Sequence, residues 1–345
     1  MLNALFSSTN PYFYPMKIVT PFKAGVLMLG LALAGGGCAK KNDVEPSITN
    51  IAVTNPDFQL LEDAAIRGGV AIALGNKNPN DPQGNYTVFA PTNAAFNRLG
   101  IREAVDLTAL QPDFLTNTLL YHVYSGSLAG SALAPGSTSS SLLGPTRRII
   151  TRADGSKYVN GAKILGTDVK AVNGLVHPID KVLLATGGNV VQSAVALQTA
   201  KVFVQPELTL LVAAVVKCNL AGLLSQPGPY TVFAPTDQAF RNAGIASMEA
   251  INNMTPAQVT ALTGILANHV LAGNLGNKFT PELPDGTTVT AFSGNRLTFG
   301  TFSNGILTVK FGDGASTNQA MPANLAIPDV QCTNGVVHVI DRVLR

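Results

Sequence analysis

The side chains of this 345-residue chain best equipped for chemistry are four histidines and three cysteines. His122, His177, His269 and His338 each lie inside an apolar stretch. None has an Asp, Glu or His at a spacing such as His-x-x-x-His, which sets two ligands on one helix face for zinc. The expectation is four buried structural histidines bonded to backbone, with no metal and no cofactor. Asp180 and Asp341 each follow a histidine by three residues, and they read as backbone-bonding or ion-pairing groups rather than general bases. Ser125-Gly126-Ser127-Leu128-Ala129-Gly130 has the wrong spacing for a Gly-x-Ser-x-Gly elbow. No glycine-rich phosphate loop precedes a helix. Asn76-Lys77-Asn78-Pro79-Asn80-Asp81 has a calcium-loop flavour, yet Thr87 stands at the twelfth place where a bidentate acid is required. It reads as a solvated surface loop. No catalytic residues are expected, and the chain is not read as an enzyme.

The cysteines divide by position. Met16-Lys17 opens a short basic stretch ending at Lys23, an apolar run follows from Ala24 to Ala34, and three glycines lead into Cys38. Basic, apolar and small is the order of a secretory signal, and eleven apolar residues are too few to span a bilayer. The arrangement resembles a bacterial lipoprotein signal, in which the cysteine is acylated, although Gly35 stands where Leu is usual. Residues 1–37 are therefore expected to be a signal peptide, with Met16 as the true start, and 38–46 a tether from the lipid on Cys38. Cys218 and Cys332 are open to two readings: a disulfide in an oxidising compartment, or two separate buried thiols.

Charged residues make up 12% of the chain, about half the usual share. The net charge is +3 with no basic stripe, which excludes nucleic acid as a partner. The absence of Trp and the count of 7 Tyr argue against an aromatic platform for sugars.

These residues are positioned by a repeat. Tyr86-Thr87-Val88-Phe89-Ala90-Pro91-Thr92 recurs verbatim as Tyr230-Thr231-Val232-Phe233-Ala234-Pro235-Thr236. His122-Val123 recurs as His269-Val270, and Asn173-Gly174-Leu175-Val176-His177 as Asn334-Gly335-Val336-Val337-His338. The first motif reads as a buried strand closed by proline, then a short helix capped by Thr92 or Thr236 and stopped at Gly100 or Gly244. Residues 58–74, 208–224 and 262–271 have helical apolar spacing. The last motif is a turn followed by a strand apolar on both faces. Hairpin turns are expected at 293–295 and 312–314. Strands and helices without βαβ alternation indicate an α+β fold.

The three motifs, in order and twice over, resemble the signatures of the fasciclin domain. The resemblance implies two tandem domains, 47–185 and 187–345, each a wedge of two β-sheets packed with several helices. It also implies extracellular adhesion or matrix association. Some animal members have a Tyr-His pair implicated in receptor binding, which Tyr121-His122 matches and Asn268-His269 does not. The leading expectation is a lipid-anchored module on the outer membrane or cell surface, contacting extracellular matrix, glycan or a surface protein. An envelope scaffold and an unrecognised enzyme are the alternatives. Because the anchor precedes the first copy, adhesion is expected mainly in residues 187–345.

Overall fold

A computed structural model describes residues 45–199, 208–313 and 321–345. The signal segment, Cys38 and most of the tether lie outside the described residues. In the first repeat the helices α1 (Ile48–Thr54), α2 (Gln59–Arg67) and α3 (Ala71–Gly75) precede the strand β1 (Tyr86–Pro91) and the helices α4 (Asn93–Asn97) and α5 (Pro112–Tyr121). Short strands follow: β2 (Val123–Ser125), β3 (Thr138–Ser140), β4 (Thr146–Thr151), β5 (Lys157–Val159), β6 (Ala162–Lys163), β7 (Val169–Ala171), β8 (Gly174–Ile179) and β9 (Leu184–Ala185). The second repeat runs α6 (Val190–Thr199), α7 (Thr209–Lys217), α8 (Ala221–Leu224), β10 (Tyr230–Pro235), α9 (Asp237–Asn242), α10 (Met248–Asn252), α11 (Pro256–Asn268) and β11 (Val270–Ala272). It closes with β12 (Thr288–Thr290), β13 (Arg296–Phe299), β14 (Thr308–Phe311), β15 (Ala323–Cys332) and β16 (Gly335–Ile340).

The verbatim motif is the central strand of each repeat. β1 pairs antiparallel with β2 and parallel with β8, placing Phe89 opposite His177. β10 repeats this with β11 and β16, placing Phe233 opposite His338. Both phenylalanines are fully buried, each worth about 1.5–3 kcal/mol relative to exposure. Thr92 and Thr236 accept from the backbone N–H of Ala95 and Ala239, and Gly100 and Gly244 stop the chain at φ +82° and +88°. In the first repeat β3-β4-β5-β6 forms a second sheet beside β2-β1-β8-β7. In the second, the ten-residue β15 runs through both parts with two register shifts, making one bent sheet.

Two expected helices are broken, and a third, which begins six residues early at Pro256, ends before its expected limit. The 58–74 segment breaks at Gly68-Gly69, where Gly69 takes φ +70°. The 208–224 segment breaks at Asn219, φ +54°, a conformation asparagine tolerates. The third stops at His269, and 270–272 becomes β11 because β10 offers it a partner edge. Gly294 turns the hairpin between β12 and β13 at φ +87°.

Candidate functional site

Each repeat is closed by the same polar fastenings. His122 Nδ1 lies 2.7 Å from the Thr118 carbonyl, and its Nε2 accepts the Leu183 N–H at 2.8 Å. His269 does the same with the Ile265 carbonyl and the Leu344 N–H, both at 2.8 Å. A carbonyl can only accept and an N–H can only donate, so both rings are neutral with the proton on Nδ1. Burial lowers both to about 4. His177 and His338 take the opposite tautomer. Nε2 donates to Leu128 O at 2.8 Å or Lys278 O at 2.9 Å, and Nδ1 accepts from Asp168 or Asp329 N–H at 3.1 Å. Burial lowers these two as well.

Asp168 and Asp329 both sit in the left-handed region, φ +62° and +70°. Their carboxylates take the N–H of Gly130 and Thr280 at 2.8 and 2.6 Å. Sequence reasoning missed this pair, although an Asp-Val five residues before each Asn-Gly was there to find. Asn173 and Asn334 do more than turn the chain. Asn173 accepts from Ile48 N–H and donates to Leu74 and Asn76 carbonyls, and Asn334 repeats this with Val190, Leu224 and Gln226. Asp180 accepts from Lys163 N–H at 2.6 Å, and burial raises its carboxyl. Asp341 accepts from Asn324 N–H at 2.8 Å.

The side chains that differ between repeats gather where the repeats meet. β9 pairs parallel with β15, Leu184 opposite Val330. Tyr121 is fully buried, its hydroxyl donating to Gln331 of the second repeat and accepting from Asn160 at 2.7 Å. His122 is 1% exposed. Contact between Tyr121 and an external partner therefore requires the joint to open, and His122 is held inside the first repeat by Thr118 and Leu183. Lys181 Nζ meets Asp329 Oδ2 at 2.8 Å, both nearly buried, with Thr280 bridging them. Burial pushes the Asp329 carboxyl up, but Lys181, His338 and the hydrogen bonds outweigh it and leave it below its usual value. Arg148 forks onto Glu282 over the Phe279 ring, and Arg152 pairs with Asp285 at 2.8 Å over Phe302. Such planar, bidentate and stacked geometry suits arginine. Gly161 lies so close that a Cβ there would stand 1.9 Å from the Asp329 carboxylate.

Arg147 is fully buried without a carboxylate partner. It donates to the carbonyls of Tyr121 at 2.7 Å and Ser140 at 3.2 Å, and its guanidinium stacks on Phe89 at 5.0 Å. The first of these carbonyls ends α5, where a cation also opposes the helix dipole. Desolvation lowers Arg147 to about 10. Strand register sets Arg147 opposite Ser139 in the way that Leu297 sits opposite Val289, so the second repeat fills this place with an apolar side chain.

Cys218 and Cys332 are buried, separate and unpaired; a disulfide between them does not form. Burial pushes the Cys332 thiol up to about 12. The 76–84 loop is closed by its own groups, Asn78 donating to Asn85 O and Ser125 Oγ while Asp81 accepts from Asn85 N–H. Among the described residues no group of three His, Cys, Asp or Glu side chains could hold a metal ion. No helix among them is long and apolar enough to cross a membrane.

The fasciclin domain model matches residues 58–185 and again 206–345. The chain belongs to the fasciclin family, as a tandem pair of its domains. It is 29% identical over 262 residues to transforming growth factor-beta-induced protein ig-h3 of Sus scrofa, covering 76% of this chain and 35% of that protein. Thus the chain spans about a third of the length of that relative. It is 29% identical over 164 residues to immunogenic protein MPB70 of Mycobacterium bovis, covering 44% of this chain and 82% of that one. The FAS1 domain pair of the insect cell adhesion molecule fasciclin I aligns with a TM-score of 0.37 at 17% identity, over 86% of this chain and 95% of that one.

Proposed function

We propose that the chain is a non-catalytic adhesion module, exported and held to a membrane by a lipid on Cys38, that binds matrix, glycan or a surface protein through the outward face of its second repeat. The observation that carries this reading is the burial of Tyr121 in the joint and of His122 inside the first repeat, which withdraws the candidate contact of the first repeat from solvent. On the second repeat Val216 and Met248, 48% and 52% exposed, stand on α7 and α10, which pack together. Exposed aliphatic side chains on adjoining helices suit a protein interface better than a catalytic cleft. The anchor precedes the first repeat, so the second is presented outward.

The test coats beads with the full chain and counts their binding to immobilised matrix proteins and glycans. Val216→Ser with Met248→Ser is expected to reduce binding at least fivefold with the thermal midpoint unchanged. Binding untouched by that pair and lost on changing exposed residues of the first repeat contradicts the assignment.

A further inference from the structure

The two repeats superpose in hydrogen bonding but differ in how their first helix covers the core. Ile48 N–H and Val190 N–H make the same bond to Asn173 and Asn334. That register sets Asn55 of the first repeat against Leu197 of the second. Leu197 is fully buried, whereas α1 has already ended at Thr54 and Asn55 is its C-cap. A cavity of about 70 Å³ lies between α1, α2 and α3, walled by Ile51, Phe58, Leu61, Val70, Leu119 and Val176. The one ring nitrogen pair at its edge, that of His122, is already bonded to Thr118 and Leu183. The other polar lining residues are Thr49, whose hydroxyl donates to the Ala71 carbonyl at 2.9 Å, and Glu62, half-buried on α2; the remaining walls are apolar and favour an apolar guest. At its edge Val53 on α1 and Ile66 on α2 are 51% and 61% exposed, and Ile72, 82% exposed, follows the lining residue Ala71 on α3.

We propose that this cavity and its rim take the end of an acyl chain from a membrane phospholipid, so that the first repeat rests on the bilayer. The proposal rests on the anchored reading above for the nearness of a membrane. Ile48 lines the cavity and lies ten residues after Cys38, a reach of at most about 35 Å. On the measure by which one water needs about 10–15 Å³, the cavity has room for the last few carbons of a chain, with the rest lying on the rim.

The experiment uses the full chain with Cys38→Ser, mixed with phosphatidylcholine vesicles containing a phospholipid that carries a photoreactive diazirine near the end of one acyl chain. Labelling is mapped by mass spectrometry. The expected result is label concentrated in residues 48–74, cut at least fivefold by Ala65→Leu, which fills the cavity from α2. Should Ala65→Leu fail to fold, Ile66→Ser with Ile72→Ser, both exposed, must give the same loss. Label spread evenly over the chain, or unchanged by these variants, overturns the proposal. Because the protein in this assay has no anchor, a failure of the anchored reading shows separately, as unaltered membrane partitioning of Cys38→Ser in cells.

Discussion

Acidification tests the histidine fastenings with a magnitude that follows from the structure. His122 and His269 titrate near 6.5 when unfolded and about 4 when folded, because burial excludes the charged ring. The folded values are depressed, so the stability these rings contribute is present in full above pH 6.5 and is lost as pH falls toward 4. A difference of 2.5 units corresponds to about 3 kcal/mol per ring at the acid end. Between pH 7 and pH 5 the loss is about 2 kcal/mol each. His177 and His338 are lowered too and act in the same direction. Asp180 is raised and opposes them, but only as the carboxylate range is entered. The assay is urea unfolding of the full chain at half-unit steps from pH 7.5 to 5, followed by circular dichroism. Stability is expected to fall by about 4 kcal/mol from His122 and His269 together, and His269→Gln should flatten the slope by about half of that. A curve level between pH 7 and pH 5, or one rising toward acid, refutes the buried neutral assignment.

Other outcomes follow from the joint and the core. Lys181→Met leaves the Asp329 carboxylate buried beside an apolar chain, and should cost about 3–5 kcal/mol in urea unfolding. Arg147→Leu, which copies the second repeat, leaves the Tyr121 and Ser140 carbonyls without this donor and should cost about 1–3 kcal/mol in the same assay. Cys38→Ser should move the protein from the membrane to the soluble fraction of lysed cells, since each buried methylene of an acyl chain holds about 0.8 kcal/mol.

The repeat was legible because the central strand is verbatim in both copies, and a strand buried on both faces tolerates little variation. The burial of the four histidines was legible from the apolar stretches around them. The breaks in the early helices were half visible: Gly68-Gly69 is a plain interruption, whereas Asn219 lies inside unbroken apolar periodicity and stops the helix through its own backbone. Arg147 was not legible, since a charged residue in a strand reads as solvent-facing and only the neighbouring carbonyls of α5 show otherwise. The joint was least legible of all. Arg148 with Glu282 and Lys181 with Asp329 are 134 and 148 residues apart, and no local pattern announces such partners. For the same reason the Tyr-His match could be found in sequence, and the burial of His122 expected, while the burial of Tyr121 against Gln331 could not.

Chemical access to Tyr121 in the full chain tests the central claim most directly. Tetranitromethane should nitrate the half-buried Tyr124 and spare Tyr121, whose hydroxyl lies between Gln331 and Asn160. Gly161→Ala, which wedges the joint against Asp329, should make Tyr121 reactive without abolishing adhesion. Nitration of Tyr121 at the rate of Tyr124 in the unaltered protein, or protection that appears only when a partner is bound, would contradict a closed joint and return the contact to the first repeat.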